Sequence, residues 1–141
     1  MLFKGNKIEL LKGVSLFSAC TNKELSRIAS LADEVEVPAG AVLTHEGKPG
    51  REFFAIVEGT AKVTLRGKKM ATLGPGSFFG EMSLLDQAPR SATVTADSAM
   101  KLLVLDARSF SSLLDQAPSV TRKILRAMAQ RLRQVERAPT H

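Results

Sequence analysis

Glu81 and Arg90 lie in a segment whose other residues also suit a sugar phosphate: Phe78-Phe79-Gly80-Glu81-Met82-Ser83-Leu84-Leu85, then Pro89-Arg90-Ser91-Ala92-Thr93-Val94. Gly80 lets backbone approach a ligand closely, and the residues after it predict a helical turn whose free N–H groups and dipole favour an anion. Arg90 supplies a planar cationic donor fork and Ser91 a hydroxyl. Glu81 is an acceptor, which suits a ribose hydroxyl beside the phosphate, as acidic residues do in dinucleotide sites. A ligand with one phosphate charge and a free ribose hydroxyl satisfies both halves. An amphipathic helix with a solvated Glu and Arg fits the same residues, and spacing alone leaves both readings open.

The elements that must hold this segment change character along the chain. From 7 to 33, Ile8, Leu11, Val14 and then Leu25, Ile28, Leu31 recur at helical spacing, and Thr21 followed by Glu24 forms a capping-box signature. Two short helices are predicted there. From 35 to 105, turn signals arrive at short intervals, among them Gly47-Lys48-Pro49-Gly50 and Gly74-Pro75-Gly76. Between them lie strand-like runs at 53–57, 61–65 and 101–105, a pattern that predicts a β sandwich or jelly roll. Helical pattern returns from Ala107 to Leu114 and from Pro118 to Arg137, Pro118 suiting a first turn. The string Ser-Leu-Leu-Asp-Gln-Ala-Pro occurs at 83–89 and again at 112–118 without repeated flanks, so it marks two helix ends and not a duplicated domain.

Composition narrows the function classes. The 141 residues, 44% hydrophobic, are enough for one globular core. No apolar run reaches the roughly 18–20 residues of a membrane span, and the start lacks a signal-peptide core, so a cytoplasmic protein without membrane insertion is expected. A lone Cys20, read as a packing residue on a helix, excludes an internal disulfide and a cysteine zinc site. With only His45 and His141 as histidines, a metal-dependent barrel enzyme is not expected. The net charge of +6 is unevenly distributed: residues 1–33 carry +2, 34–115 carry −1 and 116–141 carry +5.

The ordered set from Phe79 to Leu85 and from Pro89 to Val94 resembles the phosphate-binding cassette of the cyclic nucleotide-binding domain family. Supporting matches are Val37-Pro38-Ala39-Gly40, Glu46-Gly47, the Phe-Phe-Ala-Ile-Val-Glu-Gly run ending at Gly59, and Leu73-Gly74-Pro75-Gly76. The resemblance covers nearly the whole chain and extends to the regulatory domains of prokaryotic cyclic nucleotide-regulated channels and the sensor domain of cAMP receptor-type regulators. It implies a mainly β jelly roll or double-stranded barrel, α+β overall, with N-terminal helices at 1–33. The β-roll would span 34–106 with the cassette at 78–94, and hinge and lid helices 107–137, all in one domain of 1–141. It also implies a ligand, cAMP or cGMP, with no cofactor or metal. Arg90 would pair with the cyclic phosphate and Glu81 would accept from the ribose 2′-hydroxyl. Gly80, Ser91 and Ala92 would donate to phosphate and sugar, while Met82 and Ser83 approach them along the backbone. Family members selective for cGMP often carry Thr beside the Arg; Ser91 leans to cAMP, and both ligands stay open.

On the last helix, at about 100° per residue, Val120, Ile124, Leu125, Met128, Leu132 and Val135 share an apolar face, opposite Arg122, Arg126, Arg133 and Arg137. Arg131 falls on the apolar side, where it either needs a partner or snorkels to water. In the resembling family a side chain of this helix closes over the base, which makes Arg131 the candidate cap. Ligand binding is expected to move Leu84 or Leu85 against Phe110 and Leu113 and to swing the helix over the base. The output is expected to be a protein partner or a covalently linked effector domain, with a homodimer left open. The alternative is the ligand-sensing part of a transcription regulator without its helix-turn-helix. Four residues after Arg137 hold no recognition helix, so specific DNA binding by this chain is not expected. No nucleophile–base pair accompanies Glu81 and Arg90, and catalysis is not expected.

Overall fold

The computed structural model describes residues 7–137, without the side chains of Ser15 and 134–137. In chain order it contains α1 (Lys7–Lys12), a 3-10 turn (Ser15–Phe17), α2 (Asn22–Leu31), β1 (Asp33–Val37), β2 (Val42–Thr44), β3 (Glu52–Glu58), β4 (Ala61–Leu65) and β5 (Lys68–Leu73). There follow β6 (Phe78–Phe79), α3 (Glu81–Asp86), β7 (Thr93–Ala96), β8 (Met100–Asp106), α4 (Ala107–Gln116) and α5 (Pro118–Arg137). Two antiparallel four-stranded sheets face each other, ordered β1-β8-β3-β6 and β2-β7-β4-β5. This is the jelly-roll arrangement with flanking helices.

Strands β3 and β8 have near-continuous apolar sequence because the first sheet is covered on both faces. Phe53, Ala55, Leu103 and Leu105 face the helices and join Leu11, Phe17, Ile28, Phe110, Leu113, Val120 and Ile124. Their alternating neighbours Phe54, Ile56, Leu102 and Val104 pack between the sheets with Phe79 and Val94. Phe53 ties the sheet to α4, its ring stacked on Phe110 at 4.8 Å and tilted against Phe78 at 5.7 Å. At the far edge, β5 is exposed along most of its length. Lys68, Lys69 and an irregularity in the β4 pairing guard it against edge-to-edge association.

Local sequence closes each helix. Thr21 and Glu24 form the expected reciprocal cap of α2, at 3.1 and 2.9 Å. Lys7 donates from Nζ to the carbonyls of Ala29 and Ala32 at the other end, both at 2.9 Å. Asp106 caps α4 through the Ser109 N–H at 2.7 Å, which draws the exposed carboxyl below its ordinary range. Both copies of the repeat end helices, but differently. Gln87 leaves α3 in a left-handed conformation, φ 59°, towards an irregular segment, whereas Ala117 passes the chain from α4 straight into α5 at Pro118.

Two expectations change and a third narrows. Cys20 is not helical; it lies half-buried just before the α2 cap, its Sγ 3.5 Å from Ser119 Oγ, and burial raises the thiol pKa. On α5 the buried stripe is Val120 and Ile124, flanked by Ala127 and Met128. Leu125 and Leu132 are about 60% exposed because they lie some 100° around the helix from that stripe. The side chains of Val135 and Arg137 lie outside the described residues. Finally, it is Leu84 that packs against the cluster holding Phe110 and Leu113, while Leu85 is exposed.

Phe53→Ala is expected to cost about 3–5 kcal/mol of unfolding free energy, and Leu125→Ala less than about 0.5 kcal/mol. Urea denaturation of both variants checks the contrast; comparable losses would mean that the Leu125 face is buried after all.

Candidate functional site

The guanidinium of Arg90 lies in the wall of the barrel, the residue only 8% exposed. It donates from one terminal nitrogen to the Gly80 carbonyl at 3.0 Å and from the other to the Glu52 carbonyl at 2.7 Å. Its own backbone is fastened to the β2–β3 connection: the Arg90 N–H donates to the Lys48 carbonyl at 2.8 Å, and the Gly47 N–H donates to the Arg90 carbonyl at 2.9 Å. Burial lowers the pKa, opposed by the nearby carboxylates of Glu52 and Glu81. An arginine has five N–H donors, so two carbonyls orient the fork without exhausting it.

Gly80 opens α3 with φ +95°, a conformation that glycine adopts without penalty. A Cβ there would meet the Glu52 carbonyl at 2.5 Å and an Arg90 terminal nitrogen at 2.9 Å. The turn therefore needs glycine twice, for its dihedral and for the space that the guanidinium occupies. Glu81 follows, 1% exposed and forming a 2.8 Å ion pair between its Oε2 and Arg131. That pair supplies the partner expected of a cation on the buried side of α5. The Arg131 guanidinium also lies 5.3 Å above the centre of the Phe78 ring and donates to the Phe78 carbonyl at 3.5 Å.

These groups surround a cavity of about 240 Å³. Gly80, Glu81, Met82, Ser83, Arg90, Ser91, Ala92 and Arg131, all singled out from the sequence, line it together. Val63, Ala71 and Leu73 of the β4–β5 hairpin, with Val94, add an apolar part to the lining. The lining thus combines a cation, a carboxylate and hydroxyls with a set of aliphatic side chains. The volume is below the roughly 300–1,000 Å³ of drug-sized pockets, which favours a compact ligand. Among the described residues no cluster of His, Cys, Asp and Glu is arranged to hold a metal.

Sequence reasoning missed Gly50, Glu52 and Thr44, and it included Phe78 in the cassette without giving it a role. Gly50 reads as a turn residue, but its φ is not left-handed; a Cβ would meet Ser83 Cβ at 2.5 Å and Arg90 Nε at 2.8 Å. It is a spacer against which the arginine lies, and a glycine two residues before a buried strand was the available signal. Glu52 contributes through its carbonyl, for which side-chain identity carries no signal. Thr44, 5% exposed, donates from Oγ1 to the Ala92 carbonyl at 3.1 Å and fixes the strand after Arg90. Glu46 ties the hairpin wall to the same loop by accepting from the Arg66 N–H at 2.9 Å.

The sequence model of the cyclic nucleotide-binding domain family matches residues 34–117. A cyclic nucleotide-gated potassium channel of Mesorhizobium japonicum is 38% identical over 112 residues, covering 79% of this chain and 31% of the channel. The solved structure of cAMP-bound PfPKA-R superposes with a TM-score of 0.80 at 27% identity, covering 91% of this chain and 44% of that one. The catabolite activator protein of Thermus thermophilus superposes at 0.78 with 30% identity, covering 86% and 60%. The chain spans about a quarter to a third of the length of its channel and kinase-subunit relatives.

Gly50→Ala is expected to cost about 1–3 kcal/mol by forcing the Arg90 side chain from its bed. Gly74→Ala, which meets nothing within 4 Å, should fall within about 0.5 kcal/mol of the parent. Equal midpoints for the two variants in chemical denaturation would refute the steric role of Gly50.

Proposed function

The chain belongs to the cyclic nucleotide-binding domain family, and on that premise we propose that it senses cAMP or cGMP in the cavity between Arg90 and the β4–β5 hairpin. The observation that carries the reading is the arrangement of opposite chemistries on one wall: a buried, pre-oriented guanidinium and a buried carboxylate around the Gly80 turn. Arg90 pairs with the cyclic phosphate through the donors that the Gly80 and Glu52 carbonyls leave available. Glu81 accepts from the 2′-hydroxyl. Gly80, Ser91 and Ala92 donate to phosphate and sugar, with Met82 and Ser83 closing the turn around them. The base lies against Val63, Ala71 and Leu73.

Residues 1–141 act as one nucleotide-binding unit in which helices 107–137 carry the response. Ligand tightens the 78–94 cassette, Leu84 transmits the change to Phe110 and Leu113, and α5 follows. Binding stabilises the closed arrangement only by its difference in affinity between closed and open forms. The recipient is a partner protein or an effector domain on the same polypeptide, as the partial coverage of the channel and kinase-subunit relatives favours. The likeness to a catabolite activator keeps a transcription regulator's sensor as the second reading. No reaction is assigned to the site, since the groups that line it bind charge and form no nucleophile–base pair.

Calorimetric titration of nucleotide-stripped protein with cAMP and cGMP should give saturable heat with at least one of them. Arg90→Ala should weaken that binding on the order of a hundredfold or more, since it removes a buried cation from its anion. Absence of heat with both ligands sinks the reading.

A further inference from the structure

The contacts of Arg131 point to a role other than capping a base. Among the described residues, its ion pair, its second hydrogen bond and its ring contact all land on the stretch 78–81, on Glu81 and Phe78. The Glu81 side chain is 2% exposed, that of Arg131 47%. A carboxylate so deeply buried is costly without a cation, and Arg131 supplies one from a different element. The pair is the charged link between α5 and the first turn of α3.

We infer that Arg131 is a positioning residue that acts through Glu81, holding its side chain oriented towards the ligand's 2′-hydroxyl. It thereby couples α5 to the sugar and not to the base. A carboxylate has two oxygens and about four acceptor sites, so it can accept from the guanidinium and a hydroxyl together. The two interactions support one another: the guanidinium fixes the position of the carboxyl group from one side, and charge-assisted hydrogen bonds are the stronger kind. Specificity for a ribose over a deoxyribose cyclic nucleotide then depends on a helix fifty positions away in the chain. The inference rests on the nucleotide reading of the cavity.

The test compares cAMP, 2′-deoxy-cAMP and cGMP on the full chain. The parent protein should favour cAMP over its 2′-deoxy analogue roughly ten- to a hundredfold, the range for a hydrogen bond to a charged group. In Arg131→Ala that preference should shrink to within about threefold while the cAMP to cGMP ratio stays unchanged, and Arg131→Lys should restore part of the preference. In a Glu81→Gln background, adding Arg131→Ala should leave the ribose preference where it was. An equal loss for cAMP and 2′-deoxy-cAMP, or a changed cAMP to cGMP ratio, would overturn the inference in favour of direct base capping. Failure of the parent protein to bind any of the three overturns the nucleotide reading itself, a result distinct from equal losses in the variant.

Discussion

A guanidinium set into the barrel wall is the constraint to which the rest of the site conforms. Arg90 is too buried to rely on water, so its terminal nitrogens are satisfied by carbonyls from two different segments, Gly80 and Glu52. Its main chain is tied to a third, the loop through Gly47 and Lys48. Satisfying one cation therefore fixes the cassette, the start of β3 and the β2–β3 connection relative to each other. Gly50 and Gly80 are required because any side chain at either position would enter the space that the guanidinium fills. The two carbonyls hold the hydrogen-bond fork in one orientation.

Beneath that wall, the first sheet divides two tasks between its faces. Residues of one parity on β3 and β8 bury against Phe79 and Val94 and form the floor between the sheets. Those of the other parity meet α4 and α5 through Phe110, Leu113, Val120 and Ile124. The cassette touches both, since Phe79 belongs to the inter-sheet cluster and Leu84 packs against the helix-side one. A shift in the turn at Gly80 thus has a packed route to the helices, and the Glu81–Arg131 pair adds a charged route. Dense packing favours discrete rearrangement over gradual deformation.

Local signals were the legible part of the chain. The Thr21–Glu24 box, the strand runs, the two helix ends within the repeated heptapeptide and Pro118 at a helix start all follow from residue type and spacing over a few positions. The cassette residues were legible as a contiguous set that lines one cavity, but their spacing left a sugar-phosphate cradle and a solvated amphipathic helix both open, and only the family resemblance chose between them. Helix phase was legible only in part. The α5 wheel groups Leu125 and Leu132 with Val120 and Ile124, but neighbours cover a narrower arc than the apolar residues span.

The sequence by itself determined the elements, the distribution of charge and the chemistry available to the cassette, because each depends on interactions within a turn or a strand. Tertiary structure alone decided that Arg90 would be held by the carbonyls of residues 52 and 80, that Gly50 would be a spacer, and that Arg131 would meet Glu81 across 50 positions. Backbone carbonyls carry no residue-type signature, and a pairing between distant segments follows from packing the whole chain.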